Sequence, residues 1–255
     1  MTTTRWHIGA KQLRGSLVSY AKRFDLLEVR VSIESTAGAA ESKAAPTATP
    51  TMATLRRWRK AVPPHFDFSV VAGPTLSRAR PSDQGEQELN LARAAVDTLQ
   101  ARCFVLRTPP EVTPTSLWRD RISKIMKRFP TDVTHFVWEP SGVWEIADAA
   151  AQAKAWGAVL SVDPAREAVP PGPVAYLRFR AMGETHSFSA VALERIVKAV
   201  GARREVFAVL ETDSAMTEAK QLRELVRTAH VSTPGGSGRL IRPRGAIVVG
   251  DDEQE

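Results

Sequence analysis

Short runs of β-branched and aromatic residues alternate along this chain with longer stretches in which apolar residues recur every three or four positions. The short runs predict strands, and the longer stretches predict amphipathic helices. We predict eight strands, at Trp6–Ile8, Leu26–Val31, Phe66–Val71, Cys103–Leu106, His135–Trp138, Val159–Val162, Ala175–Phe179 and Val206–Leu210. We predict seven helices, at residues 11–23, 51–61, 84–100, 115–128, 144–156, 189–200 and 216–228.

The connection between the sixth and seventh strands lacks a helical pattern. It contains Pro170, Pro171, Gly172 and Pro173, and both residue types disfavour a helix interior. We therefore predict a loop at this one place, while every other pair of neighbouring strands is joined by a helix.

Strands that alternate with helices predict a parallel sheet of the α/β class, either closed into a barrel or open and doubly wound. An open sheet usually has a glycine-rich first turn that holds phosphate. The first turn here, Gly9–Leu13, contains one glycine. We therefore predict a single (β/α)8 TIM barrel over residues 1–230, followed by a flexible linker and tail over residues 231–255.

Two segments interrupt this regular alternation. Residues 34–51 are rich in Ala, Thr, Ser and Pro and lie between the second strand and its helix, where barrel enzymes place loops over their active mouth. This loop is a tolerated surface insertion, a lid over the mouth, or a loop that contacts a protein partner. The tail begins with the glycine-rich stretch Ser232–Gly238 and ends in the acidic run Asp251–Glu255. It is therefore a second segment that could contact a protein partner.

The chain carries a formal net charge of +7, which favours polyanions as partners. Its two basic runs, Leu55–Lys60 and Arg119–Arg128, have helical periodicity with apolar residues on the opposite face. They are interpreted either as solvated outer faces of barrel helices or, alternatively, as a patch that binds nucleic acid.

Other features narrow the class of protein. The chain has no apolar run of about 18 residues and no signal-peptide pattern at its start, so we expect a cytoplasmic protein without membrane contact. The single cysteine, Cys103, lies in an apolar strand and is expected to be a buried thiol. His65 and His135 precede strands, on the side away from the mouth, so we expect neither a metal nor a cofactor.

Six motifs follow one another along the predicted strand ends: Leu27–Glu34, Thr54–Arg59 with Phe66–Val70, Leu106–Pro110, Trp138–Trp144, Val162–Pro164 and Tyr176–Arg180. In this order they resemble the motifs of the YecE-like family, domain of unknown function 72, a bacterial and archaeal barrel family without an established activity. The resemblance spans nearly the whole predicted barrel and implies a TIM fold.

Several polar positions depart from the pattern of that family. Where the family has Asn on the second strand, Gln on the fourth and His on the seventh, this chain has Arg30, Arg107 and Arg180. Ser141 replaces an Arg. The resemblance therefore implies a family member whose barrel mouth carries different polar residues. Such a member performs the chemistry of the family differently or no longer performs it.

Reactive groups of barrel proteins lie at the carboxyl ends of the strands. Four arginines and four carboxylates occupy these positions here, and Trp138 and Trp144 flank one of the carboxylates. The charged residues are Arg30, Arg107, Arg178, Arg180, Glu28, Glu139, Asp163 and Glu211.

Three interpretations of these residues remain open. In the first, the mouth binds a small phosphate or carboxylate ligand through Glu28, Arg30, Arg107, Trp138, Arg178 and Arg180, while Glu139 and Asp163 act as catalytic acid and base. In the second, the charges form a closed ion-pair network that plugs a non-catalytic barrel, which serves as a protein-binding scaffold. The third is nucleic-acid binding through the basic helices.

Overall fold

The structure is a computed structural model that describes residues 4–13, 15–33, 49–129, 134–180 and 186–231. Eight parallel strands form a closed barrel in sequence order, and β8 pairs with β1. The predicted (β/α)8 architecture is confirmed. The strands are β1 (Arg5–Ala10), β2 (Leu26–Arg30), β3 (Asp67–Val71), β4 (Cys103–Arg107), β5 (His135–Glu139), β6 (Val159–Val162), β7 (Val174–Phe179) and β8 (Glu205–Leu210).

Helices surround the barrel and join its strands. They are α1 (Leu17–Ala21), α2 (Met52–Ala61), α3 (Pro74–Ser77), α4 (Asp83–Leu99), α5 (Ser116–Met126), α6 (Ile146–Trp156), α7 (Ala190–Val200) and α8 (Ala215–Val231). No helix joins β6 to β7, as the prolines predicted. The four-residue α3 was not predicted, since one helical turn has no periodicity to detect.

Hydroxyl side chains fix where several helices begin. The Oγ atoms of Ser16, Ser82 and Ser189 each accept a hydrogen bond from the backbone N–H group of the third residue of α1, α4 and α7, and Thr51 does the same for α2. Such caps satisfy donors that lack a partner within the helix. The prediction of a helix from residue 11 was wrong because the cap at Ser16 starts α1 later.

The barrel interior consists of layers that differ in polarity. Side chains two residues apart on a strand point to the same side, so each strand contributes to several layers. The middle layer is apolar and fully buried, with Leu26, Val71, Cys103, Val105, Val137, Tyr176, Phe207 and Val209. Charged side chains lie on both sides of it. They form the base of the barrel at the amino ends of the strands and the mouth at the carboxyl ends.

The base is held by its own contacts between polar side chains. His7 Nδ1 contacts Asp67 Oδ2, and its ring stacks on Phe207 with centroids 4.6 Å apart. Glu205 accepts a hydrogen bond from Arg102 Nη2 at 2.5 Å and contacts His135 Nε2 at 3.3 Å. Burial lowers the pKa of His135. These groups close the end of the barrel opposite the mouth.

A large apolar cluster between the strands and the helices forms the rest of the core. Trp58, Trp118 and Trp156 pack against it from the helices, as expected from their positions. Cys103 is buried, as predicted. Among the described residues, no helix has the length and apolarity needed to cross a membrane. The loop over residues 34–48 and the tail over residues 232–255 lie outside the described residues.

Candidate functional site

The mouth of the barrel brings together most of the charged residues predicted from the strand ends. Glu28 and Arg30 lie on β2, Arg107 ends β4, Glu139 ends β5 and Arg178 lies near the end of β7. Each of these residues follows the apolar middle layer by two or four positions on its strand. The alternation of the strands therefore directs their side chains to one place.

Arg178 is the centre of this arrangement, and its side chain is 1% exposed. Its guanidinium donates to Glu28 through Nη2 at 2.7 Å and Nη1 at 3.0 Å. It also donates to Glu139 through Nε at 2.8 Å and to Glu211 through Nη1 at 2.6 Å. Although burial alone would lower the pKa of Arg178, the charges of Glu28 and Glu139 raise it well above its usual range. All the nitrogen atoms of this side chain are therefore bound to protein carboxylates.

Glu28 is held on two sides. Besides Arg178, it accepts a hydrogen bond from the hydroxyl of Tyr176, which lies 3.1 Å from Ser69 Oγ. Burial would raise the pKa of Glu28, but the charge and hydrogen bonds of Arg178 outweigh it and lower this pKa. Glu28 is therefore a fixed anion.

Glu139 and Glu211 are shared among several cations. Glu139 Oε1 contacts Arg180 Nη2, and it lies 3.2 Å from Arg107 Nε. Glu211 Oε2 lies 3.4 Å from Lys11 Nζ and 3.5 Å from Arg180 Nε. The cations outnumber the carboxylates in this network. Its surplus of positive charge lies at the outer rim, because Arg178 at the centre is neutralised.

Arg30 and Arg107 lie on a cavity of about 320 Å³ at the outer side of the network, together with Glu139, Thr108 and Ser141. Arg30 is exposed, and within the described residues it forms no ion pair. Burial of part of the side chain and the charge of Arg107 lower the pKa of Arg30. Three cations therefore line one cavity. Arg107 has Glu139 beside it, and the third cation, Arg78, lies 4.0 Å from Glu111, which also lines the cavity.

Asp163 lies on the other side of Glu139. Its carboxylate accepts a hydrogen bond from Ala165 N at 3.1 Å and lies 3.4 Å from Arg166 Nε. Burial raises the pKa of Asp163. It lines a second cavity, of about 110 Å³, with Glu139, Arg180 and Trp144. Glu139 thus stands between two cavities, one bounded by arginines and the other by Asp163.

Trp138 does not take the position expected for it. Its side chain is fully buried and packs between Trp144 and Trp156, with ring centroids 4.7 and 5.0 Å away. Its Nε1 donates to Thr108 Oγ1 at 3.1 Å. Trp138 precedes Glu139 by one residue, so it points to the opposite side of the strand, into the core. We therefore leave it out of the site, whereas Trp144 does line the second cavity.

The basic helices use several of their cations within the fold. Arg59 of α2 donates to the carbonyl groups of Phe66 and Pro63, at 2.9 and 2.6 Å. Arg121 of α5 lies over the ring of Trp118 at 4.7 Å. The expectation that these helices bind nucleic acid stays a prediction. In the part of the chain that the structure describes, no group of three or more metal-binding side chains forms a metal site.

Three further residues belong to the site and were not singled out from the sequence. Tyr176 and Ser161 precede Arg178 and Asp163 by two positions, so their side chains share the same face. Lys11 follows β1 directly. The alternation of β6 and β7 contained the signal for the first two residues. The signal was overlooked because neither residue is charged.

Most of this chain matches a known protein family. The model of a family described as "Protein of unknown function DUF72" matches residues 47–239. The chain belongs to the DUF72 family. No significant match was found among curated proteins.

Solved structures of the DUF72 family have the same fold. A DUF72 protein from Enterococcus faecalis V583 is 14% identical, with a TM-score of 0.65, and the match covers 87% of this chain and 95% of that one. A DUF72 protein from Thermotoga maritima MSB8 is 12% identical, with a TM-score of 0.64 and coverage of 88% and 99%. D-psicose 3-epimerase, crystallised in the presence of D-fructose, is 11% identical, with a TM-score of 0.54 and coverage of 91% and 99%. At these identities the likeness concerns the fold.

Proposed function

We propose that this DUF72 protein binds a small anionic ligand, a phosphate or a carboxylate, in the cavity beside Arg30 and Arg107. The observation that supports this function is the pairing of these two arginines on one cavity of about 320 Å³. Most of their N–H groups are not used by protein carboxylates, because Arg107 contacts Glu139 through Nε and Arg30 has no ion pair among the described residues.

The electrostatics of this pair favour an anion. Like charges beside one another are unfavourable, and the charge of Arg107 is one cause of the lowered pKa of Arg30. An anion between the two guanidinium groups relieves that repulsion and accepts hydrogen bonds from both, as arginine forks do with phosphates and carboxylates. The cavity is also of the size that small-molecule sites have.

Arg178 has a different role from the one expected for it. Since its donors are bound to three glutamates, it is a positioning residue that holds these carboxylates in place. Glu139 borders both cavities and is the acid–base candidate best placed to contact a ligand beside Arg107. Asp163, with its raised pKa, is the second candidate.

Binding of inorganic phosphate and of acetate tests this function. Isothermal titration calorimetry, supported by the rise in melting temperature that a ligand causes when it binds the folded state, is applied to the wild type and to Arg30→Gln and Arg107→Gln. Arg57→Gln, on the exposed face of α2, is the control with the same change of net charge.

We expect phosphate to bind the wild type and the control equally and each mouth variant about tenfold more weakly, the loss of about 1.4 kcal/mol that one charge-assisted contact supplies. If neither anion binds the wild type, or if Arg57→Gln weakens binding as much as Arg107→Gln does, the mouth is not the site.

A further inference from the structure

The second cavity contains two buried polar atoms that the protein itself leaves without a hydrogen bond. Ser161 is 6% exposed and Asp163 is 4% exposed, and both line this cavity of about 110 Å³. Ser161 Oγ and Asp163 Oδ2 find no hydrogen-bond partner among the described residues. The nearest cation to the Asp163 carboxylate is Arg166, whose Nε lies 3.4 Å from Oδ2.

Buried polar atoms almost always have partners in folded proteins, and an exception calls for an explanation such as a bound water, ion or ligand group. Here both atoms line a cavity that has room for such a group. The two atoms come from residues two positions apart, one at the end of β6 and one just beyond it, so the pleat of one strand directs both into the same space. A space of 110 Å³ holds roughly three to four groups of the size of water, each of which occupies about 30 Å³.

From this geometry we propose that the second cavity is a subsite for hydroxyl groups, and that the ligand of the mouth is a hydroxylated phosphate or carboxylate. This inference rests on the proposed anion site and extends it. The two cavities share Glu139 and Pro140. A ligand whose anionic group contacts Arg30 and Arg107 therefore reaches Ser161 and Asp163 by passing over Glu139.

The lining of the subsite favours a hydroxyl group over a charged one. Glu139, Asp163 and Glu167 surround the cavity, so a second anionic group is repelled. A cationic group is repelled by Arg180, which also lines the cavity. It would also be buried against the apolar side chains of Trp144, Ile146 and Ala149, where the burial of charge is costly. A hydroxyl group is neutral, and it both donates to the carboxylate and accepts from Ser161.

A comparison of three five-carbon phosphates tests the subsite. Ribitol 5-phosphate carries hydroxyl groups along the chain, n-pentyl phosphate carries none, and 5-aminopentyl phosphate carries a terminal ammonium group. Their dissociation constants are measured by calorimetry for the wild type, Ser161→Ala and Asp163→Asn. Ser123→Ala on α5, away from the mouth, is the matched serine control.

We expect ribitol 5-phosphate to bind the wild type at least about tenfold more tightly than n-pentyl phosphate, the effect of one or two good hydrogen bonds. Ser161→Ala and Asp163→Asn should each remove most of that advantage, measured within each variant as the ratio of the two dissociation constants. Ser123→Ala should keep the advantage. Because Ser161→Ala deletes one atom and Asp163→Asn keeps the shape of the side chain, at least one of the two variants should fold.

Equal affinity of ribitol 5-phosphate and n-pentyl phosphate, or an advantage that survives in both variants, would overturn the hydroxyl subsite and leave the anion site standing. Tightest binding of 5-aminopentyl phosphate would overturn it in favour of a cation subsite. If none of the three phosphates binds, the anion site itself fails, and the subsite fails with it.

Discussion

The guanidinium group of Arg178 meets the carboxylate of Glu28 as a fork, with Nη2 2.7 Å from Oε1 and Nη1 3.0 Å from Oε2. Because the same group also binds Glu139 and Glu211, one buried cation holds three carboxylates in place. The stability of the mouth therefore depends on Arg178 far more than on the exposed cations around it.

Arg178→Ala should lower the free energy of unfolding by about 3–5 kcal/mol, since it leaves three mostly buried carboxylates without their central partner. Arg180→Ala should lower it by no more than about 1 kcal/mol, because its side chain is 35% exposed and solvent screens its ion pairs. Urea denaturation of the two variants and the wild type measures both values. Equal losses of unfolding free energy in the two variants would contradict the central role of Arg178. If Arg178→Ala does not fold, Arg178→Lys is measured in its place.

The lowered pKa values of Glu28 and Glu211 make the wild type sensitive to acid. These carboxylates release their protons more readily in the folded protein than in the unfolded chain, whose value is near 4.5. Their contribution to stability is therefore complete above that pH and is lost as the pH falls through the lower folded values. We expect the urea midpoint of the wild type to fall when the pH is lowered from 5 to 3.

The same titration should change sign without Arg178. Burial raises the pKa values of Glu28 and Glu211 and is the largest single influence on both, so with the cation removed the folded protein binds protons more readily than the unfolded chain. As the pH is lowered from 7 to 5, we expect the free energy of unfolding of Arg178→Ala to rise relative to that of the wild type. Parallel pH profiles of the two proteins would show that Arg178 does not control these carboxylates.

Gly73 is required because there is no space for a side chain. A Cβ atom there would lie 1.9 Å from Glu88 Oε1 and 2.7 Å from the carbonyl oxygen of Val31, and Glu88 is fully buried while it accepts a hydrogen bond from Leu76 N at 2.6 Å. Gly73→Ala should destabilise the protein by about 1–3 kcal/mol through overpacking.

Thermal and urea unfolding measure this cost, with Gly85→Ala as the control. The nearest atom to a Cβ at Gly85 is Ser82 Oγ at 3.1 Å, and alanine is favoured within α4, so a change of less than about 1 kcal/mol is expected. A loss as large for Gly85→Ala as for Gly73→Ala would argue against the crowding at Glu88.

The thiol of Cys103 should be protected in the folded protein. It is completely buried, and burial raises its pKa well above the usual range, so little of the reactive thiolate forms. Reaction with 5,5′-dithiobis(2-nitrobenzoic acid) should be at least about a hundredfold slower in buffer than in urea, because it requires local opening. As Cys103 is the single cysteine, one equivalent should react after unfolding, and rapid reaction without urea would contradict its burial.

The sequence predicted the barrel because strand and helix periodicities differ, and all eight strands were located to within two residues. The start of α1 was missed because a capping serine, rather than periodicity, sets it. The single turn of α3 has no periodicity to detect, and its contact with α4, where Leu76 N donates to Glu88 Oε2, joins residues 12 positions apart. Local patterns contain no information on such a contact.

At the mouth, the sequence indicated which side chains lie close together but not how they share their bonds. Arg107 ends β4 and Arg178 lies one residue before the end of β7. Nothing in the sequence shows that Arg178 is enclosed by three glutamates while Arg107 faces a cavity. The orientation of Trp138 was available from alternation with Glu139. It was overlooked because tryptophans beside a carboxylate also suit a stacking site.

The apolar layer across the middle of the barrel separates two sets of charges, around Arg178 at the mouth and around Glu205 at the base. Since no side chain contacts both sets among the residues described, substitutions at one end should add to those at the other without interaction. Such a molecule tolerates change unevenly. The mouth should accept substitutions without loss of the contacts at the base, which hold the opposite end of the barrel.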